Sequence, residues 1–110
     1  MAWTKYSLTQ VFGTGATQTI STVTIKKAAL QSIGLPISSS NSSEQIFVAL
    51  VLKAMASCPD ISTANLGIFR WNRTFPQKPD GTLALLDSII VKLNNTPIKE
   101  PFKLFNPNDF

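Results

Sequence analysis

SEQIFVALVLKAMAS, residues 43–57, carries a helix start signal, a helix stop signal and an apolar helical pattern between them. Ser42 and Gln45 have capping-box spacing, and Asn41 with Glu44 offers the same box one residue earlier. In either register a side-chain oxygen accepts from an amide that the first turn leaves unpaired. Glu44 also puts negative charge at the positive end of the helix dipole. Pro59 cannot continue a helix and disfavours helical backbone at Cys58, which predicts an end near Ser57. Phe47, Leu50, Val51, Ala54 and Met55 form one stripe, and Ile46, Val48 and Leu52 carry apolar character round most of the circumference. A helix apolar nearly all round is expected to be covered on more than one side. Its seven large apolar residues represent roughly 10–20 kcal/mol of gross burial at ~1.5–3 kcal/mol each, before chain entropy is subtracted. On this reading Phe47→Asp or Leu50→Asp unfolds the domain.

Working towards the N-terminus, residues 36–43 (PISSSNSS) are a polar connector, and residues 26–33 either extend the strand before them or form a short helical turn ending at Gly34, the turn being favoured by Ile25, Ala29 and Ile33 at helical spacing and by Thr24 as an available cap. Residues 17–25 are dense in Thr, Val and Ile, and residues 3–12 alternate polar and apolar positions. The simplest reading joins these two segments as a hairpin through the turn signal Gly13-Thr14-Gly15-Ala16.

Towards the C-terminus, Phe69, Trp71 and Phe75 alternate with Arg70, Asn72 and Thr74, the pattern of a strand with one aromatic face. Arg73 interrupts it by sharing the aromatic side. Pro79-Asp80-Gly81 is turn chemistry. Residues 83–93 (LALLDSIIVKL) read as a strand with Leu83, Leu85, Ile89, Val91 and Leu93 on one face and Asp87 in their midst, although a helical stripe of Leu83, Leu86, Ile90 and Leu93 also exists. Pro97, Pro101 and Pro107 preclude regular structure beyond residue 94, where Phe102, Leu104, Phe105 and Phe110 recur. The expected fold class is α+β: a small antiparallel sheet of two hairpins packed on one central buried helix. Residues 1–94 are expected to form a single domain, and residues 95–110 an extended Pro/Phe-rich tail that docks on its own or a neighbouring subunit.

At 110 residues the chain can bury a core without metal or disulfide support. Charged residues make up 15% of it, against about 25% in an average soluble domain. A surface so weakly charged repels its copies little, which suits self-association. The net charge of +4 is spread along the chain rather than clustered, so it favours weak attraction to polyanions over a defined nucleic-acid site. There is no histidine, one cysteine, and six scattered acidic residues. That removes histidine-based acid–base chemistry and most zinc sites, and CxxC motifs as well. Gly13-Thr14-Gly15 lacks the third glycine of a dinucleotide loop, because Gln18 stands there. Cys58, between a helix end and Pro59, reads as a small buried hydrophobe. Asp60 and Asp87 could meet in space as a carboxylate dyad, but nothing in the sequence calls for one.

No enzyme, cofactor, metal or small-molecule substrate is therefore expected. The leading expectation is a structural or assembly subunit making homo-oligomeric or other protein contacts, such as a virion, tail or shell component. Trp3, Arg70, Trp71, Arg73, Phe102, Phe105 and Phe110 are its candidate interaction residues. The alternative is a small basic nucleic-acid-binding module that stacks bases on the strand of residues 69–75, helped by Lys5, Lys26, Lys27 and Lys78. The blander reading of that strand buries its aromatic rings in the core while the arginines reach the surface. MAWTKYSLTQ lacks the apolar core of a signal peptide and no apolar run approaches the ~20 residues of a membrane span. The expected location is cytoplasmic, or the virion.

Overall fold

A computed structural model describes residues 5–61, 63–94 and 107–109. Trp3, Phe102, Phe105, Phe110 and nearly all of the expected tail lie outside them; the described piece of that tail, Pro107–Asp109, is a 3-10 turn and not extended, since proline's fixed φ suits a first helical position. The fold is α+β, with helices and two separate two-stranded antiparallel sheets. The chain divides into two compact units, one of them Tyr6–Pro59 and the other continuing from Asp60.

The first unit opens with a correction. Where an alternating strand was expected, Leu8–Phe12 form helix α1. Ser7 and Gln10 make a second capping box: the Gln10 amide donates to Ser7 Oγ at 3.1 Å and the Ser7 amide to Gln10 Oε1 at 2.7 Å. Two amides satisfied locally outweigh an alternation that no neighbouring strand rewards. Gly13 closes the helix at φ +101°, donating its N–H to Thr9 O at 2.9 Å. A Cβ at Gly13 would stand 2.5 Å from that of Ala29, so both the dihedral and the space call for glycine.

The glycine turn thus leads from a helix into a strand. The hairpin forms further on, between β1 (Thr17–Gln18) and β2 (Val23–Thr24), with Thr17 opposite Thr24 and Gln18 opposite Val23. Thr19 and Thr22 clasp its turn, through Thr19 N–H to Thr22 O at 2.8 Å and a hydroxyl contact at 2.8 Å. The tip side chain, Ile20, stands fully in solvent.

Helix α2 (Lys27–Leu30) runs into a 3-10 turn (Gln31–Ile33) that ends at Gly34, as the sequence suggested. Lys26 takes the N-cap position without a side-chain bond, so Thr24 does not cap it. Helix α3 spans Ser43–Ser57, and of the two boxes on offer the chain uses Ser42–Gln45, at 3.1 and 2.9 Å. Cys58 caps the far end through its N–H to Ala54 O at 2.8 Å.

The burial expected of α3 is met only in part: Ile46, Leu50, Val51, Leu52 and Met55 are half-buried. Its one fully buried residue is the small Ala49, while Phe47 is 67% and Val48 52% exposed. Ala49 joins Leu30 and Leu35 in a compact cluster, with Ile25 and Leu50 packed against it. Within this unit α3 meets α1, α2 and the 3-10 turn, and Phe47 lies on the far side of the helix from Ala49 at 100° per residue. Large residues all round left the inward side unmarked, and close approach selected alanine.

Cys58 is fully buried, and loss of solvation pushes its thiol above the ordinary range.

In the second unit, β3 (Leu66–Thr74) pairs antiparallel with β4 (Leu86–Leu93). The strand reading of residues 83–93 therefore holds over the helical one. Leu83 adds a bridge to Gln77 further out. The tip is closed by Lys78 N–H to Thr82 O at 2.7 Å and Gly81 N–H to Lys78 O at 2.9 Å, with Gly81 at φ +88°. Asp80 Oδ1 accepts from the Thr82 amide at 3.0 Å and its hydroxyl at 2.6 Å, which holds the Asp80 carboxyl below its usual range.

Candidate interaction surface

The β3–β4 ribbon presents two faces, and a bulge decides what each displays. Phe69 opposes Ile90 and Arg70 opposes Ile89, but Asn72 opposes Ser88, which leaves Trp71 as an extra residue. An inserted residue shifts the alternation of everything after it. Arg73 therefore comes onto the face of Arg70, directly opposite Asp87. This explains why Arg73 breaks the aromatic pattern: the pattern itself changes phase at Trp71.

One face then carries Leu66, Ile68, Arg70 and Arg73 from β3 with Asp87, Ile89, Val91 and Leu93 from β4. The other carries Phe69, Asn72 and Thr74 with Leu86, Ser88, Ile90 and Lys92. On the first, Arg73 grips Asp87 with two parallel bonds, Nε to Oδ1 at 2.6 Å and a terminal nitrogen to Oδ2 at 2.9 Å. Arg70 Nε adds a contact at 3.3 Å to Oδ2. The Arg73 hydrogen bonds, with the charge of Arg70 behind them, hold the Asp87 carboxyl below its usual range, and the guanidinium of Arg73 is shifted up in return. On the second face Lys92 pairs with Asp60 at 3.2 Å and lies 5.3 Å from the centre of the Phe69 ring. Gly67, opposite Lys92, is where the backbone of Asp60 crosses: an added Cβ would lie 3.2 Å from Asp60 Cα.

Asp60 and Asp87 thus occupy opposite faces of the ribbon, each bound to a cation. Carboxylates so placed do not converge on a shared substrate atom.

The aromatic residues are the second correction. Phe69 is half-buried, whereas Trp71 is 66% and Phe75 62% exposed. They do not fill a core. Leu83, Leu85, Leu86, Val91 and Leu93 are exposed as well. Of these, Leu83, Leu85, Val91 and Leu93 belong to the apolar face read from the sequence. What sequence reasoning missed is that these four stay exposed, while Ile89 between them is half-buried. The signal was Asp87 in the midst of that face, a charge that a closed core seldom accepts.

Of the sequence-derived interaction residues, the ribbon brings Arg70, Trp71 and Arg73 into one neighbourhood. Among the proposed basic helpers, Lys78 sits at the ribbon tip, while Lys27 belongs to the helical unit and donates to Ser38 O at 2.6 Å. Among the described residues no cluster of three or more His, Cys, Asp or Glu side chains offers a metal site, and no helix is long and apolar enough to cross a membrane. Compared with known proteins, the chain matches no family model, no curated protein and no solved structure.

Proposed function

We propose that this chain is a non-enzymatic assembly subunit, such as a virion, tail or shell component, that works as a homo-oligomer and makes its contacts through the β3–β4 ribbon. One observation carries the reading. Among the described residues thirteen large apolar side chains are exposed, whereas only three (Leu30, Leu35 and Ile68) are buried. Single exposed apolar residues need no explanation, but Trp71, Phe75, Leu83, Leu85, Leu86, Val91 and Leu93 crowd both faces and the outer end of one two-stranded ribbon, an amount of open apolar surface of the kind that marks protein contacts. A two-stranded ribbon is also at best marginally stable in water without something to pack against. Burial against other protein answers both needs.

The test is oligomeric mass by native mass spectrometry and light scattering, on the unaltered chain and on the triple variant Leu83→Ser, Leu85→Ser, Leu86→Ser. An assembly that the variant dissociates, with helical circular dichroism retained, is the expected result. A chain that stays monomeric at high concentration overturns the reading.

The nucleic-acid alternative draws on Trp71 and Phe75, whose open rings suit base stacking. Against it, Asp87 already holds both guanidinium groups that would meet phosphate. It requires salt-dependent binding of single strands that Trp71→Ala weakens.

A further inference from the structure

We propose that the open edge of β4 pairs antiparallel with the same edge of a second copy about a two-fold axis, giving a four-stranded sheet in the order β3–β4–β4–β3. This rests on the assembly reading and names its contact.

The direction of the free backbone groups follows from two hydrogen bonds beyond the ends of β4. Asn94 N–H donates to Asn65 O at 2.8 Å, and Ala84 N–H donates to Pro76 O at 2.8 Å. In an antiparallel pair, residues alternate between bonding inward and pointing outward. The even-numbered residues of β4 therefore bond to β3, and Asp87, Ile89, Val91 and Leu93 turn their N–H and C=O groups away from it. These four present a regular row of donors and acceptors. On β3 the corresponding row is broken by the bulge at Trp71, a device that blunts an edge against pairing. Of the two edges, β4 is the one fit to receive a strand.

A second copy fits this edge for three reasons. A two-fold axis sets each outward donor against an acceptor of the identical strand, so no separate partner surface is needed. The only charges on β4, Asp87 and Lys92, are already matched within the chain by Arg73 with Arg70, and by Asp60. Two β4 strands therefore meet without bringing unpaired like charges together. Finally, a third and fourth strand supply the width that a two-stranded ribbon lacks.

Single cysteines introduced at Ser88, Ile89, Ile90 and Val91, each in a Cys58→Ser background, test the pairing by oxidative cross-linking of the full chain. A two-fold antiparallel contact brings one central position onto its own copy, so at least one of the four is expected to form a covalent dimer in high yield. Asn72→Cys on the opposite strand is expected to form none. Val91→Pro removes an outward N–H while sparing the β3 ladder, since Val91 faces Ile68 at a pair that exchanges no hydrogen bonds. It is expected to weaken association at least tenfold. An assembly that persists with no cross-link at any of the four positions assigns the edge to another occupant and overturns this proposal alone. A monomer in every assay overturns it together with the assembly reading.

Discussion

The helical unit and the β3–β4 ribbon solve the same problem with different means. In the helical unit Leu30, Leu35 and Ala49 close a small interior, and glycines and capping boxes fix the chain around it. In the ribbon Ile68 is the only large apolar residue buried, Ile89 and Ile90 are half-buried, and Leu83, Leu85, Leu86, Val91 and Leu93 are exposed. The helical unit is held by contacts it makes with itself. The described part of the ribbon is a ladder of hydrogen bonds with several large apolar side chains exposed. An element's apolar content therefore does not say whether it is inside: α3 and β4 are both rich in Leu, Ile and Val, and neither is enclosed.

The largest expected effect separates these two modes directly. Leu30→Ala removes a side chain that is 2% exposed, and the loss of packing should cost about 2–5 kcal/mol. Phe47→Ala, at an exposed site of the same unit, should change stability by no more than ~0.5 kcal/mol in the dissociated chain. Chemical denaturation followed by circular dichroism measures both. Equal losses would show that α3 is enclosed after all and erase the contrast.

A smaller effect tests whether local backbone chemistry holds each unit. Ser42→Ala removes the acceptor of the α3 capping box and should cost about 0.5–2 kcal/mol. Gly81→Ala should cost about 1–2 kcal/mol, because the tip needs φ +88° and no neighbouring atom obstructs a Cβ there. The first should be read in helical signal and the second in amide exchange across the ribbon. If Gly81→Ala lowered the helical signal as strongly, the separation of the units would fail.

The smallest expected effect is electrostatic. The Asp87 carboxyl is held below its ordinary range by Arg73, so its contribution is present at neutral pH, above the unfolded carboxylate value of about 3.9. It is lost as the pH falls through the lower folded value. Asp87→Asn should flatten that acid limb in the amide exchange of the ribbon and leave the limb of the helical unit unchanged. Because these charges are open to solvent, salt should shrink the effect. An acid limb unaltered by Asp87→Asn would remove Asp87 from the account.

Much of the local structure was legible in short stretches of residues. Helix α3 has the bounds that Ser42, Gln45 and Pro59 imply, the turn before Gly34 formed, and β3 and β4 run where their patterns place them. The Ser7–Gln10 box was written just as plainly as the Ser42–Gln45 box, and alternation over residues 3–12 masked it. For the candidate surface, Arg70, Trp71 and Arg73 were legible as a group. The bulge that brings both arginines onto Asp87 was not, because a ladder slips by one residue only in relation to a particular partner strand. Nor was the openness of Trp71, Phe75 and Leu83, which depends on what lies across from them.

By itself, then, the sequence determined where helices begin and end and where the chain turns, since caps, prolines and glycines act on backbone groups within a few residues of themselves. Tertiary structure alone decided that Ala49 rather than Phe47 faces inward, that Asp87 gathers two arginines, and that Trp71, Phe75 and Leu83 stay exposed on the ribbon. Burial and pairing are properties of surroundings, and residues distant in sequence supply the surroundings.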